Sequence, residues 1–158
     1  MATGKSSVGR LLAARLGYEW VDTDAIIESR HGSAEEIFGS YGEATFRRLE
    51  RDVAVELAKR RGLVISTGGR MMLDPRIDGV LSLGSRVFCL TAQPKEIGRR
   101  VKAEADNGRP LLAGGDVGKQ IRTLLAERSS AYARFEQVPT DDRSVDDVVD
   151  DIVGRLGG

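Results

Sequence analysis

The sequence predicts an α/β fold in which a parallel sheet is covered by helices on both faces. Two observations carry this. The continuous apolar run Leu63-Val64-Ile65-Ser66 and a second one over residues 86–91 read as buried strands. Stripes of helical period stand before, between and after them, and strands alternating with helices build parallel sheets.

Each element follows from its residues. Val8, Leu11, Leu12 and Leu16 form a helical stripe over residues 5–16, and Gly17 stops it. The alternating, aromatic-rich residues 18–22 predict a short strand. A helix is expected over about 24–30, ended by His31-Gly32, with another from about Ser33 to Phe38. Phe46, Leu49, Val53 and Leu57 mark a long helix over residues 43–60. After the second buried run, Pro94 sits at the start of a helix carrying Ile97 and Val101, where its missing N–H costs nothing.

Residues 105–118 hold four glycines and a proline without periodicity, and they predict a mobile lid. Ile121, Leu124, Leu125 and Tyr132 mark the next helix. Residues 136–140 predict a strand that Pro139 moves towards an edge. The last helix presents Val145, Val148, Val149, Ile152, Val153 and Leu156, and Ser144-x-x-Asp147 has the form of its capping box.

A chain of 158 residues suits one domain, residues 1–158. Its 24 basic and 24 acidic side chains cancel, which argues against a nucleic-acid binder. No apolar stretch is long enough to span a membrane, so a cytoplasmic location is expected. Cys89, the one cysteine, lies in an apolar run and reads as a buried, inert thiol. His31 reads as a helix-end residue rather than a catalyst.

Gly4-Lys5-Ser6, followed by Ser7 and opening a helix, is the back half of the phosphate-loop pattern GxxxxGK[ST]. In that pattern backbone N–H groups face the phosphates, the lysine reaches the β and γ oxygens, and the hydroxyl holds Mg²⁺. The first glycine of the pattern would fall before Met1, as would the strand that feeds the loop, so the chain reads as N-terminally truncated.

Further along, Asp22-Thr23-Asp24 falls where a strand gives way to a helix, the end of a parallel sheet at which ligands bind. Two acids there suit Mg²⁺ ligation through water and acceptance of a hydroxyl proton; the plainer alternative is a helix cap at Asp24. Arg47 beside Phe46 either pairs with Glu43 or awaits an anion. Gly68 and Gly69 allow close backbone approach or make a tight turn. Arg109, in the expected lid, suits a transferring phosphoryl group. Arg128 shares a helix face with Leu124 and Tyr132, so it needs an acid or an anionic ligand as partner.

Together, MATGKSSVGRLLAARLG, VDTD, GEATFRRLE, ISTGG, RPLL and ER-x-x-x-Y resemble, in order and spacing, the shikimate kinase family. The resemblance covers essentially the whole chain. It implies a P-loop NTPase-type three-layer sandwich of strand order 2-3-1-4-5, with the first strand missing here. It also implies MgATP-dependent phosphorylation of the 3-hydroxyl of shikimate by a cytoplasmic monomer of the aromatic amino acid pathway.

By resemblance, Gly4, Lys5, Ser6 and Ser7 bind ATP, with Ser6 and Asp22 on Mg²⁺. Asp24 is the base that binds the substrate hydroxyls, Arg47 and Arg128 clamp the carboxylate, Gly68 and Gly69 line the substrate pocket, and Arg109 reaches ATP. Arg70 stands where the family has a third glycine. The acceptor is therefore open between shikimate and another hydroxy acid such as gluconate, and the shortened loop leaves an inactive nucleotide-binding module as a further alternative.

Overall fold

The structure, a computed structural model, describes residues 3–106 and 117–157. These form two compact units: Gly9–Arg86, and the chain from Val87 onward together with its start up to Val8.

Helix α1 (Lys5–Leu16) belongs to the first unit from Gly9 onward and ends at Gly17, whose φ of 65° suits glycine. Then come β1 (Glu19–Asp22), α2 (Thr23–His31), α3 (Ala34–Ala58), β2 (Leu63–Ser66), a 3-10 turn (Met71–Leu73) and α4 (Pro75–Leu81). Strands β1 and β2 pair in parallel, Glu19 opposite Leu63 through Asp22 opposite Ser66. A parallel pair needs a long crossover, and α2 with α3 supply it. Ile27, Ile37, Leu57, Met71 and Ile77 are fully buried in this unit. Each such side chain contributes about 1.5–3 kcal/mol of transfer free energy.

Helix α3 starts with a capping box: Ser33 Oγ accepts from Glu36 N–H, and the Glu36 carboxylate accepts from Ser33 N–H. It then breaks at Gly42, whose φ of 77° and ψ of 166° are not helical. The two helices expected over 33–38 and 43–60 are thus both present and meet at the non-helical Gly42. The break has a packing consequence. Phe38 and Phe46 are eight residues apart, about 12 Å along a straight helix, yet their rings stack with centroids 4.8 Å apart.

The second unit contains β3 (Phe88–Thr91), α5 (Pro94–Asp106), α6 (Val117–Tyr132), β4 (Glu136–Pro139) and α7 (Val145–Leu156). Strands β3 and β4 are again parallel, Phe88 opposite Glu136 through Thr91 opposite Pro139. The two pairs, β1–β2 and β3–β4, are the 2-3 and 4-5 pairs of the expected strand order. Ile97, Val101 and Ile121 join α5 to α6 in a buried cluster, and Val138, Val148, Val149 and Ile152 are buried as well. The capping box at Ser144 and Asp147 is present.

Several expectations need correction. The 3-10 turn and α4 had no counterpart in the sequence reading, although Asp74-Pro75 is a cap followed by a first-turn proline. Leu125 and Val145, counted on apolar faces, are exposed. Cys89 is half-buried rather than buried, and loss of solvent there pushes its thiol pKa up, in keeping with an unreactive group. Of the expected lid, 105–106 and 117–118 are helical, and 107–116 lie outside the described residues.

Asp74 ties α4 to its surroundings. Its carboxylate accepts from Arg76 N–H at 2.9 Å, pairs with the Arg76 guanidinium at 3.0 Å and reaches Arg51 of α3 at 3.4 Å. The Arg76 hydrogen bond is the largest cause that holds its pKa down, at about 2. A carboxyl whose folded pKa lies below its unfolded 3.8 adds stability above that value and loses it as the pH falls through about 2. Asp74→Ala is expected to cost about 1–2 kcal/mol at neutral pH in urea melts. The gap to wild type should narrow from pH 4 to pH 2.

Candidate active site

The parallel register of β1 and β2 dictates the first half of the site. Asp22 and Ser66 lie opposite each other at the carboxyl ends of their strands, so Thr23-Asp24 and Thr67-Gly68 leave the sheet side by side. Gly68 N–H donates to Thr23 Oγ1 at 3.1 Å, inside the buried end of the pair. A Cβ on Gly68 would stand 2.5 Å from Asp24 Oδ1. Glycine is therefore favoured by the closeness of the Asp24 carboxylate, which would have to shift to admit a side chain, and not by a turn conformation. The α2 cap is Asp22 rather than Asp24: Asp22 Oδ1 accepts from Asp24 N–H at 3.1 Å and Ala25 N–H at 3.3 Å. The cap falls at the residue that ends the strand, which leaves Asp24 in the first turn of the helix.

The second half is built on α3. Arg47 Nη1 donates to Glu50 Oε2 at 2.7 Å, while its Nε and Nη2 both point to Glu43 Oε1, at 3.2 and 3.1 Å. Glu50 is 2% exposed and Glu43 is 53% exposed, so one carboxylate is fixed in the interior and the other stands in water. Burial pushes the Glu50 carboxyl pKa up; Arg47 opposes this, and the charge of Asp24 adds to it. Burial works against the charge on Arg47, but its hydrogen bonds to Glu50 and Glu43 prevail and its pKa rises.

The Arg47 guanidinium also stands over the stacked rings, 5.5 Å from the Phe46 centroid and 5.9 Å from that of Phe38. The pairing of Arg47 with Glu43 anticipated from sequence is present. Glu50, Phe38 and Thr23 were missed. The signal for Glu50 was its i+3 spacing from Arg47, and that for Phe38 was the glycine between two aromatic positions. Arg70, just past Gly68 and Gly69, lies 3.3 Å from the same Glu43 oxygen.

In the other unit, Gly4 has a φ of 83°, and its carbonyl accepts from Val8 N–H at 2.9 Å. Lys5, Ser6 and Ser7 form the first turn of α1, with Lys5 half-buried and both serines exposed. Arg128 is half-buried on α6, on the face it shares with Leu124 and Tyr132. Arg109 lies outside the described residues. The carboxyl ends of β3 and β4 are tied together: Thr140 N–H donates to the Thr91 carbonyl, and Gln93 N–H to Asp141 Oδ1. Arg100 donates to both oxygens of Thr140.

Among the described residues no three His, Cys, Asp or Glu side chains gather as a metal cage, and no helix is long and apolar enough to cross a membrane.

Known proteins resemble this chain in sequence and fold. A family model described as shikimate kinase matches residues 1–156. The shikimate kinase of Geobacter metallireducens is 42% identical over 160 residues, which cover 100% of this chain and 88% of that protein. That of Pelotomaculum thermopropionicum is 43% identical over 158 residues, 99% of this chain and 91% of that protein. Among solved structures, shikimate kinase from Acinetobacter baumannii in complex with shikimate matches at a TM-score of 0.88 and 31% identity, over 99% of this chain and 88% of that one. The enzyme from Bacteroides thetaiotaomicron matches at 0.90 and 28% identity, over 100% and 94%. With the family model and the relatives matching along nearly its whole length, the chain belongs to the shikimate kinase family.

Proposed function

We propose that this chain, as one P-loop kinase domain, transfers the γ-phosphoryl group of ATP to the 3-hydroxyl of shikimate. The observation that supports this most directly is the group formed by Asp24, Gly68 and Arg47 within one compact unit: a carboxylate beside an open backbone, and a guanidinium fork over an aromatic wall. A ring acid bearing hydroxyls asks for these three things. In this reading Asp24 accepts the proton of the attacking hydroxyl, and Arg47 with Arg128 holds the carboxylate through paired hydrogen bonds. Gly68 and Gly69 let the backbone approach the ring.

At the nucleotide, the N–H groups of Gly4 to Ser7 face the phosphates, and Lys5 and Arg109 offset charge on the transferring group. Ser6 and Asp22 would hold Mg²⁺, which would supply charge neutralisation at the phosphates when bound. The donor set fits, because Mg²⁺ keeps most of its waters and takes few protein ligands. Asp22 is already oriented by two backbone N–H groups. We place the protein in the cytoplasm as a monomer.

Arg70 favours one alternative worth testing in the same assay, a different hydroxy acid such as gluconate. A panel of acids in an ADP-release assay decides between them, with shikimate expected to give the highest kcat/KM; a clear preference for another acid overturns the assignment. In that assay Lys5→Ala and Asp24→Asn should each lower kcat by about a hundredfold or more. Turnover near wild type in either removes its role. Arg47→Lys keeps the charge but loses the fork, so KM for shikimate should rise about tenfold with a smaller change in kcat. An unchanged KM would show that Arg47 is held for structure alone.

A further inference from the structure

Arg47 and Arg70 come from different elements, α3 and the loop after β2, and both guanidinium groups meet one oxygen, Glu43 Oε1. Three features make Glu43 the movable member. It is more than half exposed, it engages the two arginines through a single oxygen, and it is the first residue after the Gly42 break. Glu50 differs on each count that matters: it is buried, and it takes a separate nitrogen of Arg47. The Nε/Nη2 edge of Arg47, the fork that receives a carboxylate through two parallel hydrogen bonds, is thus occupied by an internal carboxylate.

We propose that Glu43 is a stand-in for the acceptor's carboxylate, displaced by it on binding, and that Arg70 is a second guanidinium that then receives the acceptor together with Arg47. This rests on the reading that the chain binds a hydroxy acid. The charges agree with it. Arg47 and Arg70 face Glu43 and Glu50, and the charge of Asp24 is felt at Glu50. Putting the substrate's carboxylate where Glu43 stands leaves the charge of this group unchanged, whatever Arg128 adds. Binding beside an undisplaced Glu43 would instead bring one more negative charge to the same guanidinium edge. Arg70 therefore selects for acids that present a carboxylate at this end.

The test is calorimetric titration of shikimate, and of its methyl ester, into wild type, Glu43→Gln and Arg70→Gly. Glu43→Gln is expected to tighten shikimate about two- to fivefold and to leave the ester unchanged. Arg70→Gly should weaken shikimate about fivefold or more, again without moving the ester. Combining the two substitutions should shrink the gain from Glu43→Gln, because the displaced contact is shared. Shikimate affinity unaltered or weakened in Glu43→Gln overturns the stand-in, and equal shifts for acid and ester show a merely structural effect. Tightening in Arg70→Gly would show that the side chain obstructs the pocket. If wild type binds no shikimate, the proposed substrate falls and this inference with it; binding by wild type with indifferent variants removes the inference alone.

Discussion

The pair between Glu50 and Arg47 is the constraint around which the first unit's chemistry is arranged. A carboxylate taken almost wholly out of water must either give up its charge or keep a cation beside it. Arg47 fulfils that need with one nitrogen, which anchors the guanidinium plane and leaves its other edge facing outward. The stacked Phe38 and Phe46 rings then form a wall on which that plane rests. An arginine held this way has lost most of its rotamer freedom before any ligand arrives, so less entropy remains to be lost on binding.

The strand register does a similar service on the other side of the same unit. Parallel pairing brings two carboxyl ends together, and the side chains that leave them meet without further design. The closeness of Gly68 to Asp24 follows from Asp22 standing opposite Ser66. The second unit repeats the arrangement with Thr91, Thr140 and Asp141, which shows that the geometry comes from pairing rather than from particular residues.

Much of this was legible in the sequence, for identifiable reasons. Capping at Ser144 depends on residues three apart, and the two-part nature of α3 is announced by a glycine between aromatic positions. Both are local features. What stayed hidden depends on distant partners or competing signals. Glu50 sits on a helix where an acid ordinarily faces water, and its burial is made tolerable chiefly by the hydrogen bond from Arg47, with the charge of Arg70 assisting. Asp22 and Asp24 are both plausible caps on either side of Thr23, and the end of strand pairing at Ser66 decides between them. The short α4 was lost among the glycines and prolines after Gly69, whose turn chemistry dominates that stretch.

The glycine break in α3 has one more consequence. Residues 34–41 bury Ile37 deeply but leave Tyr41 and part of Phe38 in solvent, whereas the segment after the break carries most of the buried side chains. Because Gly42 is not helical, the two segments are helices joined at a break, and the leading one has fewer buried side chains to hold it. The leading turn can open without unwinding the helix that holds Arg47. Access to the aromatic wall is then governed by local stability, a quantity that can be tuned by sequence changes in those eight residues while the charged group behind them stays in place.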